Sequence, residues 1–210
     1  MRHSENPTPA ETYTPAERRL LGSFRRPIDI QRFLDDKVAY NKELKGVTCY
    51  SPRSVLRLRL AHCMEGALFA AAGLEFLGHA PRILDLTATR DSDHVLAVFQ
   101  ENGRWGAIAK SNFSGLRYRE PVYGTIRELV MSYFENYFNL RGERTLRGYS
   151  RPVSLRRFDA LKWRTAAHQV WEIPTYLTEI KHFTILPPKM RLTTVDRRTF
   201  RAGLLGSVST

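Results

Sequence analysis

Cysteine is scarce: the 210-residue chain has two, Cys49 and Cys63. Two thiols cannot build a disulfide-rich framework, and no Cys/His cluster has the spacing of a structural zinc site. A small stapled fold is therefore excluded, and neither a metal nor a cofactor is expected. A bond between the two cysteines stays open, whereas a reducing compartment would keep both as free thiols. Long apolar runs are missing as well. No uninterrupted stretch approaches the length that crosses a bilayer, and the polar start from Met1 to Pro15 lacks the basic segment and apolar core of a secretory signal. The expectation is a soluble, cytoplasmic protein. Gly66, Gly73 and Gly78 make no phosphate-cradling loop, and the carboxylates form neither a metal cluster nor a glycosidase pair.

Negative charge is the third shortage. Against 33 Lys plus Arg stand 21 Asp plus Glu, a net charge of +12. Residues 1 to 140 carry 19 basic and 16 acidic side chains, and residues 141 to 210 carry 14 and 5, so the excess is +3 and then +9. Such a field attracts anionic partners, a nucleic acid or an acidic protein among them, without choosing between them. Arg144, Arg147, Arg151, Arg156, Arg157, Lys162 and Arg164, near Tyr149 and Trp163, are the candidate anion-binding residues, with Lys110 as an outlier.

What is present is enough apolar material, 42% of residues, for one sizeable core. Residues 1 to 15 read as a flexible segment, residues 16 to 170 as a single α+β domain, and residues 171 to 210 as a basic extension packed on it or partly flexible. Apolar spacing predicts helices over Ile28 to Leu44, from Pro52, and over Thr125 to Phe138, with a further helix within Ser154 to Val170. From Ala61 to Gly78 runs a segment rich in alanine and other small residues, which suits a closely packed central helix. Arg82 to Thr87 and His94 to Gln100 read as strands, and Glu101-Asn102-Gly103 turns the second into a third, Trp105 to Ala109. The aromatic residues of Thr125 to Phe138 read as packing surface.

That helix-strand-strand-strand order gives Cys63 a chemical rationale. A thiol at a helix start meets unpaired N–H groups and the positive end of the helix, which stabilise a thiolate. If one helix runs unbroken from Pro52 through Cys63, that effect largely disappears. His94 opens a strand after a turn and is the candidate base, while Asn112, just past the next strand, is the candidate to orient its ring. Asp85 is the alternative orienting group. His62 and Glu65 adjoin the cysteine but face other directions on a helix, Glu65 as a cap or salt-bridge residue.

Cys63, His94 and the segment Trp105-Gly106-Ala107-Ile108-Ala109-Lys110-Ser111-Asn112 resemble the transglutaminase-like superfamily, whose core is also similar to papain-like cysteine peptidases. The resemblance spans residues 52 to 121 and rests on order. It implies an antiparallel sheet packed against a nucleophile-bearing helix, with peripheral helices. It also implies acyl transfer on a peptide or protein substrate, in which Cys63 attacks a carbonyl and water or an amine resolves the thioester. The family places an aspartate near the end of the third strand; this chain has Ala109 to Asn112 there. The alternative is thus a weakly active or inactive module that binds nucleic acid or an acidic protein through its basic C-terminal third.

Overall fold

The computed structural model describes residues 13–187 and 189–205, so most of the expected flexible start, residues 1–12, lies outside the described residues. Helix α1 (Pro15–Leu21) is opened by Thr14, whose hydroxyl accepts from the Glu17 N–H while Glu17 caps Thr14 in return. Helix α2 (Pro27–Lys37) follows. Its predicted continuation to Leu44 does not form: Val38 is extended, β1 (Ala39–Tyr40) begins, and Leu44 is 89% exposed in a turn around Gly46. The Lys110 ammonium terminates the helix by donating to the carbonyls of Leu34 and Val38.

The decisive break is further along. Helix α3 (Pro52–Leu58) stops at Arg59, which takes a left-handed conformation, φ 53°. Strand β2 (Leu60–Ala61) then pairs in parallel with β1, and helix α4 (Cys63–Phe76) starts anew with Cys63 as its first residue. No glycine or proline lies between Leu58 and Cys63 to announce this. Pairing with β1 holds Leu60 and Ala61 extended, so tertiary contact, rather than local preference, makes the break.

Strands β3 (Arg82–Ala88), β4 (His94–Glu101) and β5 (Arg104–Ile108) form an antiparallel meander. The β4–β5 turn uses Asn102 and Gly103, both at positive φ, as a tight hairpin requires. The remaining elements are β6 (Arg119–Tyr123), α5 (Ile126–Phe134), β7 (Leu146–Ser150), β8 (Val153–Ser154), α6 (Glu172–Glu179), β9 (His182–Thr184) and α7 (Arg197–Leu204). Among the described residues the main sheet has seven strands in the order β6-β5-β4-β3-β7-β9, with β8 also on β3, and all its pairings are antiparallel. The helix expected within Ser154 to Val170 is a 3-10 stretch, Leu155–Leu161, followed by turns.

The sheet is buried on both faces, which explains why β3 and β4 read as continuous apolar runs. Ile83, Val95, Ala97, Phe99 and Ile108 pack against α4. Leu84, Leu86, Leu96, Val98 and Ala107 pack against Leu129, Val130 and Tyr133 of α5. Helix α4 is buried on all sides from Ala67 to Ala72. An α+β architecture, an antiparallel sheet set among several helices, is therefore present. Among the described residues no helix is long and apolar enough to cross a membrane.

Candidate active site

Cys63 occupies the first turn of α4, where backbone N–H groups lack intrahelical acceptors. The residue is half-buried and its thiol points at the Asp93 carbonyl, 3.9 Å away. Asp93 and His94 stand at the end of the β3–β4 turn, which is itself pinned: Asp93 accepts from the Ala88 N–H at 2.7 Å, Asp91 accepts from Thr145, and the Ser92 carbonyl accepts from the Tyr137 hydroxyl at 2.7 Å. Tyr137 also meets the His94 ring edge to face, with centroids 6.3 Å apart.

Burial opposes ionisation of Cys63, but hydrogen bonds and positive charge from His62 and His94 outweigh it and hold the thiol down at about 5. The two imidazoles differ in what they have left to offer. His62 is the N-cap of α4: its Nδ1 accepts from the Met64 N–H at 3.2 Å and its Nε2 faces the Thr48 carbonyl at 2.8 Å. A carbonyl only accepts, so Nε2 carries the hydrogen and both nitrogens are spoken for. Burial resists charging His62, while the neighbouring Cys63 thiolate and Glu65 draw a proton toward it. The balance holds His62 up at about 9, so charging the ring competes with the Met64 bond, which needs the Nδ1 lone pair.

His94 is different. Its Nε2 lies 3.0 Å from the Leu116 carbonyl, which requires Nε2–H and leaves Nδ1 as the nitrogen available to Cys63. The orienting atom is thus a backbone oxygen, and this corrects both sequence candidates. Asn112 makes no hydrogen bond to His94 among the described residues; it lines a neighbouring cleft. Leu116 belongs to the same loop beyond β5, in the 3-10 turn Ser114–Leu116, so the region was right and the atom was not. Asp85 is turned to the other face of the sheet, opposite Val95, and its carboxylate bonds His182 Nε2 at 2.8 Å. Burial pushes Asp85 up to about 6 although His182 works against it. His182 lies in β9, opposite Ser150, whose hydroxyl accepts from the Asp85 N–H. No local motif marks such a partner 97 residues away.

Glu65 is buried completely and organises the start of α4. It accepts from the His62 and Tyr50 N–H groups, the Thr48 hydroxyl and Asn41 Nδ2, at 2.7 to 3.3 Å, and so fastens the loop 41–50 to the start of α4. Tyr40, beside that loop, is near enough to feel the charge of Cys63. It also lines a cleft of about 770 Å³ with Asp36, Arg59, Asn112, Ser114 and Arg117. Cys49 is no partner for Cys63. It is buried against the Val170 carbonyl, and burial raises its thiol to about 12; both cysteines are free.

The candidate anion-binding residues are scattered. Lys110 is buried in the cap of α2, where burial lowers it to about 8. Arg164 is buried between Glu75 and Asp159, and Trp163 is fully buried rather than offered for stacking. Arg144 pairs with Glu135, and Arg147 donates to backbone carbonyls. Arg156 and Lys162 are exposed, and Arg151 and Arg157 line one groove. No group of His, Cys, Asp and Glu among the described residues could hold a metal ion. No protein-family model matches the chain, and no curated protein matches it at a significant level.

Proposed function

We propose that this protein is a cysteine-dependent acyl-transfer or amide-hydrolysing enzyme, built on a transglutaminase-like core and acting on a peptide or protein. The observation that carries the reading is the meeting of Cys63, first in its helix and held ionised near neutral pH, with a His94 ring whose far nitrogen is fixed by a carbonyl. The order α4, β3, β4, β5, with the thiol on the helix and the imidazole opening the second strand, supports the family reading.

In this mechanism the Cys63 thiolate attacks the substrate carbonyl carbon. The His94 imidazolium, charged by the proton that left the thiol, gives it to the departing amine as the C–N bond breaks and a thioester forms. Neutral His94 then takes a proton from water or an acceptor amine, whose attack breaks the C–S bond and restores the thiolate. The Cys63 N–H, without an acceptor in its own helix, suits the oxyanion. The Leu116 carbonyl orients the ring yet supplies less negative charge than a carboxylate, so the imidazolium gains less stabilisation and a modest rate is expected.

The test is acylation by an activated acetyl ester, followed by intact mass and by labelling with a limiting thiol electrophile across pH. Acetate on Cys63 alone, lost in Cys63→Ala, retained in Cys49→Ala and slowed about 100-fold or more in His94→Ala, is the expected outcome. A Cys63 that labels no faster than a free thiol would sink the proposal.

A further inference from the structure

Three cations of the C-terminal third, Arg151, Arg157 and Lys181, do meet at one place. A groove of about 420 Å³ runs between β8, the end of α6 and the start of β9. Arg151, Arg157 and Lys181 line it, all three exposed, with Ser154, Tyr176 and Phe183, and its lining contains no acidic side chain. Among the described residues none of the three cations forms a salt bridge, whereas Arg53, Arg90, Arg144 and Arg164 all do.

Aromatic rings hold these cations in place. The Arg157 guanidinium lies 3.7 Å from the Tyr176 ring centroid and donates to its hydroxyl. Arg151 and Lys181 share one ring, at 5.6 and 5.4 Å from the Phe183 centroid. Two positive charges over one phenyl ring, with a third across the groove, repel one another unless an anion sits among them. Ring contact fixes the side chains before any ligand arrives, which lowers the ordering cost of binding. The ring faces are already covered by cations, which favours capture of an anion over stacking of a base. A guanidinium fork also matches phosphate oxygens in geometry.

We infer that this groove is a binding site for the phosphoryl group of a small phosphate ester, held by Arg151, Arg157 and Lys181 with the Ser154 hydroxyl as a further donor. Its volume fits a small molecule.

The site is tested by titrating the full chain with inorganic phosphate and with a nucleoside monophosphate at low salt, following the Tyr176 and Phe183 ring resonances by NMR. Saturable shifts at both rings are expected, weakened about tenfold in Arg157→Gln and in Lys181→Gln and unchanged in Lys162→Gln. Lys181 is exposed and its side chain forms no hydrogen bond or salt bridge among the described residues, so its variant reads binding without risking the fold; unchanged melting checks this. Absence of saturable shifts, or equal affinity in Lys181→Gln, overturns the site. So does binding confined to a single-stranded oligonucleotide or an acidic peptide and weakened as much by Lys162→Gln as by Lys181→Gln, because that assigns the attraction to diffuse charge.

Discussion

Two imidazoles flank one thiol, and their remaining valences separate cap from base. His62 caps α4 while His94 keeps Nδ1 for the thiol, so His62→Asn, which keeps an acceptor for the Met64 N–H, should preserve the fold; both imidazoles lower the thiol, so His62→Asn and His94→Ala should each raise it toward its ordinary range, and only His94→Ala should also remove the base. Ultraviolet titration of the thiolate in the Cys49→Ala background reads this directly, with an expected midpoint of about 5 in the parent. The same depression links to stability. An unfolded thiol ionises near about 8.5, so the contribution of Cys63 is complete above that value and is lost as pH falls through about 5. Urea titrations of the parent and Cys63→Ser should therefore converge toward acid. Glu65 carries a different load: in Glu65→Ala the N–H groups of His62 and Tyr50 lose their acceptor, and we expect a loss of roughly 3 kcal/mol or more in urea unfolding.

Helix α4 works because it begins where it does, one residue after a cap and four after the left-handed Arg59. One turn further on, Gly66 lets the loop after β5 come close: a Cβ there would stand 2.4 Å from Lys110 Cβ. Lys110 cannot retreat, because its ammonium holds the end of α2. Gly66→Ala should cost about 2 kcal/mol despite alanine's better helix propensity, and should slow Cys63 labelling by moving the Ser111 to Leu116 loop that orients His94. Thermal melting and labelling rate check the two halves separately. Among the elements, β3, β4 and the Asn102-Gly103 hairpin were legible to within a residue or so, since short apolar runs and turn chemistry are local. Strand β6, with Pro121 inside it, was not read as a strand; as an edge strand it tolerates the missing donor.

Distant segments close the molecule. Residues 172–204 supply α6, the edge strand β9 and α7, so the basic C-terminal third is woven into the fold. Its charges follow: Arg164 makes two contacts to Glu75, at 2.6 and 2.7 Å, and one to Asp159 at 2.6 Å, tying the end of α4 to the turn beyond the 3-10 stretch. Removing it would take the guanidinium from the buried Glu75 carboxylate, while the half-exposed Asp159 keeps the Trp163 N–H. Arg164→Ala should lower stability by about 3 to 5 kcal/mol, read by calorimetric melting, while Arg156→Ala, at an exposed position, should change it little.

Local signals determined the helix-strand-strand-strand order, the placement of Cys63 and His94 in it, and the size of the positive charge, because periodicity, turns and composition act within a few residues. Only the tertiary structure decided that Arg59 would break the chain before Cys63, through pairing of β2 with β1. It likewise decided that a Leu116 carbonyl rather than Asn112 would hold His94, that Asp85 would bond His182, and which cations would stay unpaired. Backbone acceptors carry no residue identity, and charge pairs form across sequence gaps of tens of residues, so no side-chain pattern along the chain could have announced either.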